Sequence, residues 1–170
     1  EAGGYYKRSR EAYDKKVATN PLFDGIEVIS AEVPPSKAYA KPESKDLVLT
    51  FRNLHNWLGR DAMSEVMQEA YNVLKPGGLF GVVEHRAPEG SSLEFMKKSG
   101  YVSQSLAIKT AEAVGFKLVD ASEINANPKD TADHPRGVWT LPPSFRLKDT
   151  DREKYSAIGE SDRMTLLFKK

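Results

Sequence analysis

Leu74-Lys-Pro-Gly-Gly-Leu-Phe-Gly-Val-Val83 is the stretch that decides the fold, because it joins the end of a helix to the start of a buried strand. A cation, a proline and two glycines follow the last apolar position of the helix, which is the usual signal for a helix end. The apolar run at residues 79–83 is short enough for a strand, and its continuity is typical of strands covered on both faces. The stretch therefore predicts a helix that returns into the middle of a layered sheet.

The rest of the chain alternates between helices and strands in the same way. Residues 60–74 place five apolar residues on one stripe, which indicates an amphipathic helix: Met63, Val66, Met67, Ala70 and Leu74. The other expected elements are helices at residues 5–19 and 103–114, and strands at residues 26–33, 46–51, 116–124 and 164–168. Such alternation predicts an α/β sheet built by right-handed crossovers. The last strand follows another strand with no helix between them, so we expect it to enter antiparallel.

Length and composition limit the classes of protein that fit this sequence. The 170 residues, 39% apolar and 29% charged, are typical of one folded domain, 1–170, rather than of a disordered chain. The net charge of +1 argues against a dedicated nucleic-acid binder. The absence of cysteine excludes a thiol nucleophile and a cysteine-ligated zinc site.

The sequence also bears on membranes and on the compartment. No apolar run approaches the ~20 residues that a membrane helix needs, so we expect no membrane partner. The first residue is Glu rather than Met, from which we expect the natural start to lie upstream. The compartment, cytoplasmic or periplasmic, stays open.

Several motifs together carry a resemblance to a known superfamily. The Leu74–Val83 stretch quoted above resembles the turn between helix and strand after the fourth strand of class I S-adenosylmethionine-dependent methyltransferases. Four longer motifs resemble a bacterial group of predicted methyltransferases: Phe51-Arg-Asn-Leu-His-Asn-Trp57, Glu84-His-Arg-Ala-Pro88, Glu123-Ile-Asn-Ala-Asn-Pro-Lys-Asp-Thr131 and Gly159-Glu-Ser-Asp-Arg-Met164. The resemblance covers essentially the whole chain. It implies a Rossmann-like sheet, S-adenosylmethionine as the cofactor and a small-molecule acceptor.

The chain departs from the superfamily at its N-terminal end. The superfamily has a glycine-rich loop after its first strand and an acidic residue after its second, and this chain has neither. We therefore expect a fold that is incomplete at the N-terminus, with an exposed sheet edge and half of the cofactor cleft missing. Three alternatives fit this departure: upstream residues complete the fold, a second chain fills the gap, or the chain is an inactive fragment. The exposed edge is compatible with a homo-oligomer.

Three polar clusters follow the ends of predicted strands, where open α/β sheets bind ligands. The first cluster is Arg52, Asn53, His55, Asn56 and Trp57; the second is Glu84, His85 and Arg86; the third includes Glu123 and Asn125. His55 is the candidate general base for a substrate hydroxyl or amine, because histidine titrates near neutral pH. Arg52 and Asn53 complete the expected catalytic set. The alternative is a helix-entry loop whose polar groups only cap the backbone.

We expect the remaining residues of these clusters to bind substrate, namely Asn56, Trp57, Glu84, His85, Arg86, Glu123 and Asn125. For Arg86, a structural pair with a carboxylate is an equal alternative. No metal site is expected, because Glu84 and His85 would need further ligands from elsewhere. By the resemblance, Glu32, Phe51 and Arg52 lie where the superfamily contacts the cofactor.

Residues 125–160 form a loop-rich excursion that is too long for a hairpin, and such loops are usually functional or disordered. Trp139, which prolines flank, suggests an ordered lid that contacts substrate; the alternative is an arm that clasps the domain or a second subunit.

The sequence thus predicts a methyltransferase that aligns a nucleophile on a small molecule with the cofactor's methyl group. The alternative is a non-catalytic binding or assembly module that keeps the fold. A nicotinamide-dependent oxidoreductase would need a glycine fingerprint that this sequence lacks.

Overall fold

The computed structural model describes residues 3–170, and the chain divides into two compact units, Glu1–Ser30 and Ala31–Lys170. In the first unit, helix α1 (Gly3–Thr19) is followed by a short 3-10 helix (Pro21–Phe23). The Asn20 side chain accepts a hydrogen bond from the Leu22 N–H at 3.0 Å, so it caps the 3-10 helix. The predicted helix at residues 5–19 and its end before Pro21 are confirmed.

The second unit is a mixed sheet with helices. In chain order it contains β1 (Lys45–Phe51), α2 (Leu54–Leu58), α3 (Met63–Val73), β2 (Leu74–Ala87), α4 (Leu93–Ser99), β3 (Val102–Ser103), α5 (Gln104–Val114), β4 (Lys117–Ser122), α6 (Arg152–Ile158) and β5 (Arg163–Lys169). The strand order is β1-β2-β5-β4, and the short β3 pairs with β2. β1 runs parallel to β2, whereas β5 lies antiparallel between β2 and β4. The prediction of an antiparallel closing strand is confirmed.

The segment Lys75-Pro-Gly-Gly78, which was predicted to end the helix, lies in the first part of β2, directly after α3. Helix α3 ends at Val73, and β2 begins at once with Leu74. Gly77 has a φ of +81°, a conformation that glycine adopts without strain. A Cβ on Gly78 would lie 2.9 Å from the Lys75 carbonyl oxygen, so only glycine fits this approach. The apolar stripe of α3 and the centre of β2 are then buried together with α5 in one core.

The predicted strand at residues 26–33 is wrong. The chain there has neither helix nor strand, and Ile26, Val28 and Ile29 are each at least 40% exposed. A strand needs a hydrogen-bonding partner, and among the described residues no strand pairs with this segment. Alternation of β-branched residues alone does not supply that partner.

β1 forms one edge of the described sheet, and one of its faces is uncovered. Leu47, Leu49 and Phe51 alternate along it with exposed fractions of 49%, 53% and 57%. Thr50, which points to the other face, is buried. No helix of the described chain is both long and apolar enough to span a bilayer.

Candidate active site at the carboxyl edge of the sheet

The sheet topology brings the three predicted polar clusters to one edge. β1 and β2 are parallel, so Phe51 and Ala87 end at the same edge. β5 is antiparallel to both β2 and β4, so β4 also ends there and β5 begins there. Residues after β1, β2 and β4 therefore share one rim with the segment that precedes β5, in the position where open α/β sheets bind ligands.

The centre of the rim is a contact between His55 and Glu84. Glu84 lies in β2 directly before the buried His85 and is 0% exposed, and His55 lies in the first turn of α2. One Glu84 oxygen lies 3.0 Å from His55 Nδ1, and the other accepts the His55 backbone N–H at 3.1 Å. The carboxylate thus holds both the ring and the backbone of His55. Because Glu84 is enclosed, its geometry suits the orientation of His55 rather than contact with a substrate.

Glu84 also determines which nitrogen of His55 is available. A carboxylate accepts a hydrogen bond from an N–H, so we assign the imidazole proton to Nδ1. Nε2 then keeps its lone pair and is able to accept a proton from another molecule. The Trp139 ring meets the His55 ring edge-on, with centroids 5.9 Å apart.

His85 lies beside this pair but in a different environment. It is buried, and its Nδ1 lies 2.5 Å from the Ser161 hydroxyl oxygen. Burial, followed by the nearby charges of His55, Arg163 and Arg52, lowers the pKa of His85 from 6.5 to about 3. His85 is therefore neutral at physiological pH.

This shift predicts a loss of stability in mild acid. As the pH falls from about 6.5 towards about 3, the unfolded chain takes up a proton at His85 while the folded chain does not. We therefore expect the contribution of His85 to the free energy of unfolding to fall across that window. Denaturant titrations at pH 7 and pH 5 test this expectation, and His85→Gln should show a smaller difference between the two pH values. An unchanged difference would contradict the assignment.

Donor atoms of His55, Glu84 and His85 all lie within 4.8 Å of one another, which is a spacing compatible with a metal ion. The carboxylate of Glu84 already takes part in three contacts, because Oε1 also accepts the His85 backbone N–H at 2.8 Å. A metal ligand role for Glu84 would compete with these contacts. We therefore interpret the cluster as a hydrogen-bonded histidine site.

The second and third predicted clusters meet in an ion-pair network. Arg86 donates to both oxygens of Glu123, at 2.9 and 2.7 Å, and to both oxygens of Asp162, at 2.8 and 3.0 Å. The hydrogen bonds that Arg86 donates to Glu123 and Asp162 raise the pKa of Arg86, and the Arg86 hydrogen bond lowers the pKa of Glu123. Burial opposes ionisation of Asp162, but hydrogen bonds from Arg86 and the Asn127 N–H outweigh it and lower the pKa. Arg86 is thus occupied by two carboxylates, which favours the structural alternative for it.

The polar residues around α2 differ in their environments. Arg52 is exposed and has a φ of +58°, a strained conformation for a residue other than glycine that is common at functional sites. Asn53 and Asn56 are exposed, and the Asn53 side chain reaches the Thr50 hydroxyl at 3.4 Å. Trp57 packs against the core cluster instead of presenting an open stacking face.

The last two predicted residues lie in different parts of the chain, Asn125 after β4 and Glu32 in the segment before β1. The Asn125 side chain donates to the Thr165 hydroxyl at 2.8 Å, which joins the excursion to β5. Glu32 is exposed, and its backbone carbonyl accepts the Tyr39 hydroxyl at 2.7 Å. Its carboxylate makes no hydrogen bond or ion pair with the described residues.

The excursion is anchored by Asp130, which was not among the site residues predicted from the sequence. The Asp130 side chain is 0% exposed; it contacts His134 Nε2 at 2.8 Å, and it accepts the Tyr101 hydroxyl at 3.0 Å and the Asp162 N–H at 2.8 Å. Burial, followed by the Asp130 charge, raises the pKa of Tyr101. The sequence signal for this contact was an aspartate four residues before a histidine. The other two partners of Asp130 lie between α4 and β3 and in the segment before β5, so no local pattern predicts them.

Gly137 fixes the approach of the excursion to α4. Its φ is +56°, and a Cβ there would lie 2.1 Å from the Ser99 carbonyl oxygen. We expect Gly137→Ala to lower the free energy of unfolding by about 2 kcal/mol or more, since the clash adds to the cost of the backbone conformation. Gly90→Ala is the matched control, because Gly90 has a φ of +81° with open space around it. Equal losses in the two variants, measured by denaturant unfolding, would show that the contact is not tight.

Comparisons with known proteins agree with this architecture. Residues 6–82 match the family model of the methyltransferase domain. The solved structures that share the fold include a cyclase and a methyltransferase. The cyclase SpnF aligns with a TM-score of 0.63 and 16% identity over 92% of this chain and 60% of that one. An S-adenosylmethionine-dependent methyltransferase from Mesorhizobium loti aligns with a TM-score of 0.53 and 12% identity over 91% of this chain and 73% of that one. A search of curated proteins found no match.

These findings confirm the predicted resemblance: the chain has the fold of the class I S-adenosylmethionine-dependent methyltransferase superfamily. The chain spans about 60% of the length of SpnF. SpnF is described as a cyclase, so this fold supports more than one reaction, and the reaction has to be argued from the site.

Proposed function

We propose that the protein is an S-adenosylmethionine-dependent methyltransferase that acts on a small-molecule hydroxyl or amine, with His55 as general base. The proposal rests on one observation: the buried Glu84 carboxylate contacts both Nδ1 and the backbone N–H of His55. A histidine held in this way presents Nε2 to an acceptor, where removal of a proton makes the acceptor oxygen or nitrogen more nucleophilic.

The cofactor fit is supported at the carboxyl end of β1. Phe51 is 57% exposed there, and it precedes the strained turn at Arg52. The exposed Phe51 ring and the exposed Arg52 guanidinium suit an adenine ring and a carboxylate, respectively, and both groups occur in S-adenosylmethionine. Glu32, whose carboxylate has no partner among the described residues, is the third proposed contact. S-adenosylmethionine supplies an electrophilic methyl group on its sulfonium.

The chain's own residues supply the other requirements of the reaction. His55 accepts the acceptor's proton at Nε2, and Glu84 stabilises the resulting imidazolium while it holds the ring in place. Trp139 lies edge-on to the ring and limits the access of water to it. Asn53 and Asn56, which are exposed at the same rim, are the proposed polar contacts of the acceptor.

Mass spectrometry of reactions with S-adenosylmethionine and a panel of small hydroxyl and amine acceptors tests the proposal. We expect formation of S-adenosylhomocysteine that depends on an acceptor, together with a product that is heavier by one CH2 unit. A product that has the mass of its substrate and forms without S-adenosylhomocysteine would replace methyl transfer with an isomerisation or cyclisation.

A further inference from the structure

Helix α4 and the excursion line an open cavity of about 550 Å³ next to the proposed active site. The residues that matter for its chemistry are Phe95, Lys98, Asp133, Arg136, Trp139 and Arg146. The cavity is large enough for a small organic molecule, which usually occupies roughly 300–1,000 Å³.

The charges around this cavity are unbalanced. Lys98, Arg136 and Arg146 contribute three cations, against the single carboxylate of Asp133. None of the three cations forms a salt bridge within the described part of the chain, although the neighbouring Lys97 pairs with Asp61. Three unpaired cations around one cavity favour an anion inside it, because its charge would offset their mutual repulsion.

Aromatic residues connect the cavity to the proposed base. The Arg146 guanidinium lies 4.4 Å from the centroid of the Trp139 ring, which is cation–π distance. The same Trp139 ring is in edge contact with His55. A molecule held by the cations would therefore lie one aromatic ring away from His55.

We propose that this cavity binds the carboxylate or phosphate group of the methyl acceptor, so that the substrate is a small anionic molecule. The role as an acceptor site rests on the proposed methyltransferase function. Anion binding itself does not, because the cavity residues are separate from His55, Glu84 and the end of β1.

Calorimetric titration of the protein with phenyl phosphate and with benzoate, at constant ionic strength and without cofactor, tests the proposal. Benzyl alcohol is the neutral control, and the two anions distinguish phosphate from carboxylate. We expect saturable binding of at least one anion and none of benzyl alcohol. Arg136→Gln combined with Arg146→Gln should weaken that binding by about tenfold or more, the effect of about 1.4 kcal/mol.

Lys109→Gln combined with Lys117→Gln is the matched control, because it removes two exposed cations that lie outside the cavity. The affinity of this control variant for the anion should equal that of the wild type. Equal weakening in both double variants would reduce the effect to overall charge and overturn the proposal, as would the absence of binding by either anion. None of these outcomes depends on methyl transfer. If no anion binds, the proposed methyltransferase function is unaffected. If no methyl transfer is found, anion binding can still be tested.

Discussion

Replacement of His55 by alanine should lower the rate of methyl transfer by about 100-fold or more, since general bases contribute about 10²–10⁴-fold. Added imidazole should restore part of the rate of His55→Ala, because it can take the place of the missing base. Initial rates of S-adenosylhomocysteine formation, with and without imidazole, provide the measurement.

Two controls separate the role of His55 from a structural effect. The affinity for S-adenosylhomocysteine should change little in His55→Ala, because none of the proposed cofactor contacts is altered. Glu84→Gln should lower the rate through a weaker hold on His55, and imidazole should not rescue it while the His55 ring still occupies the site. Full activity of His55→Ala would remove the base from the mechanism.

Asp130→Ala should cost the fold about 3–5 kcal/mol, the range for breaking a buried charged contact. The substitution leaves the Tyr101 hydroxyl, His134 Nε2 and the Asp162 N–H without their acceptor. For a chain of this size the loss corresponds to a decrease in melting temperature of roughly 6–20 °C.

Asp133→Ala is the matched control for stability, since Asp133 is an exposed aspartate three residues away. Calorimetric melting of the two variants gives the comparison, and we expect Asp133→Ala to melt close to the wild type. A similar small change in both variants would show that the Asp130 network does not anchor the excursion.

The sequence predicted the elements whose pattern is local. The stripe of α3, the buried run that becomes β2 and the antiparallel entry of β5 all follow from periodicity and connection length. α2 and α4 are only 5 and 7 residues long and were not predicted. Helices this short gain their stability from tertiary packing rather than from intrinsic propensity.

The candidate site could be predicted as a set of residues but not as a geometry. Because open α/β sheets bind ligands at the carboxyl ends of their strands, the sequence predicts that His55, Glu84 and Arg86 lie close together. It does not predict that Glu84 is buried or that Arg86 binds two carboxylates. The Asp130 network joins residues that are 29 and 32 positions apart, a separation that no local pattern reveals.

Calorimetric titration of S-adenosylhomocysteine into the 170-residue protein, with its association state measured in the same buffer, tests the central claim most directly. We predict saturable binding that Phe51→Ala weakens and Leu47→Ala leaves unchanged, because both residues are exposed on β1 but only Phe51 lies at the rim. No binding by a protein that circular dichroism shows to be folded would contradict the account.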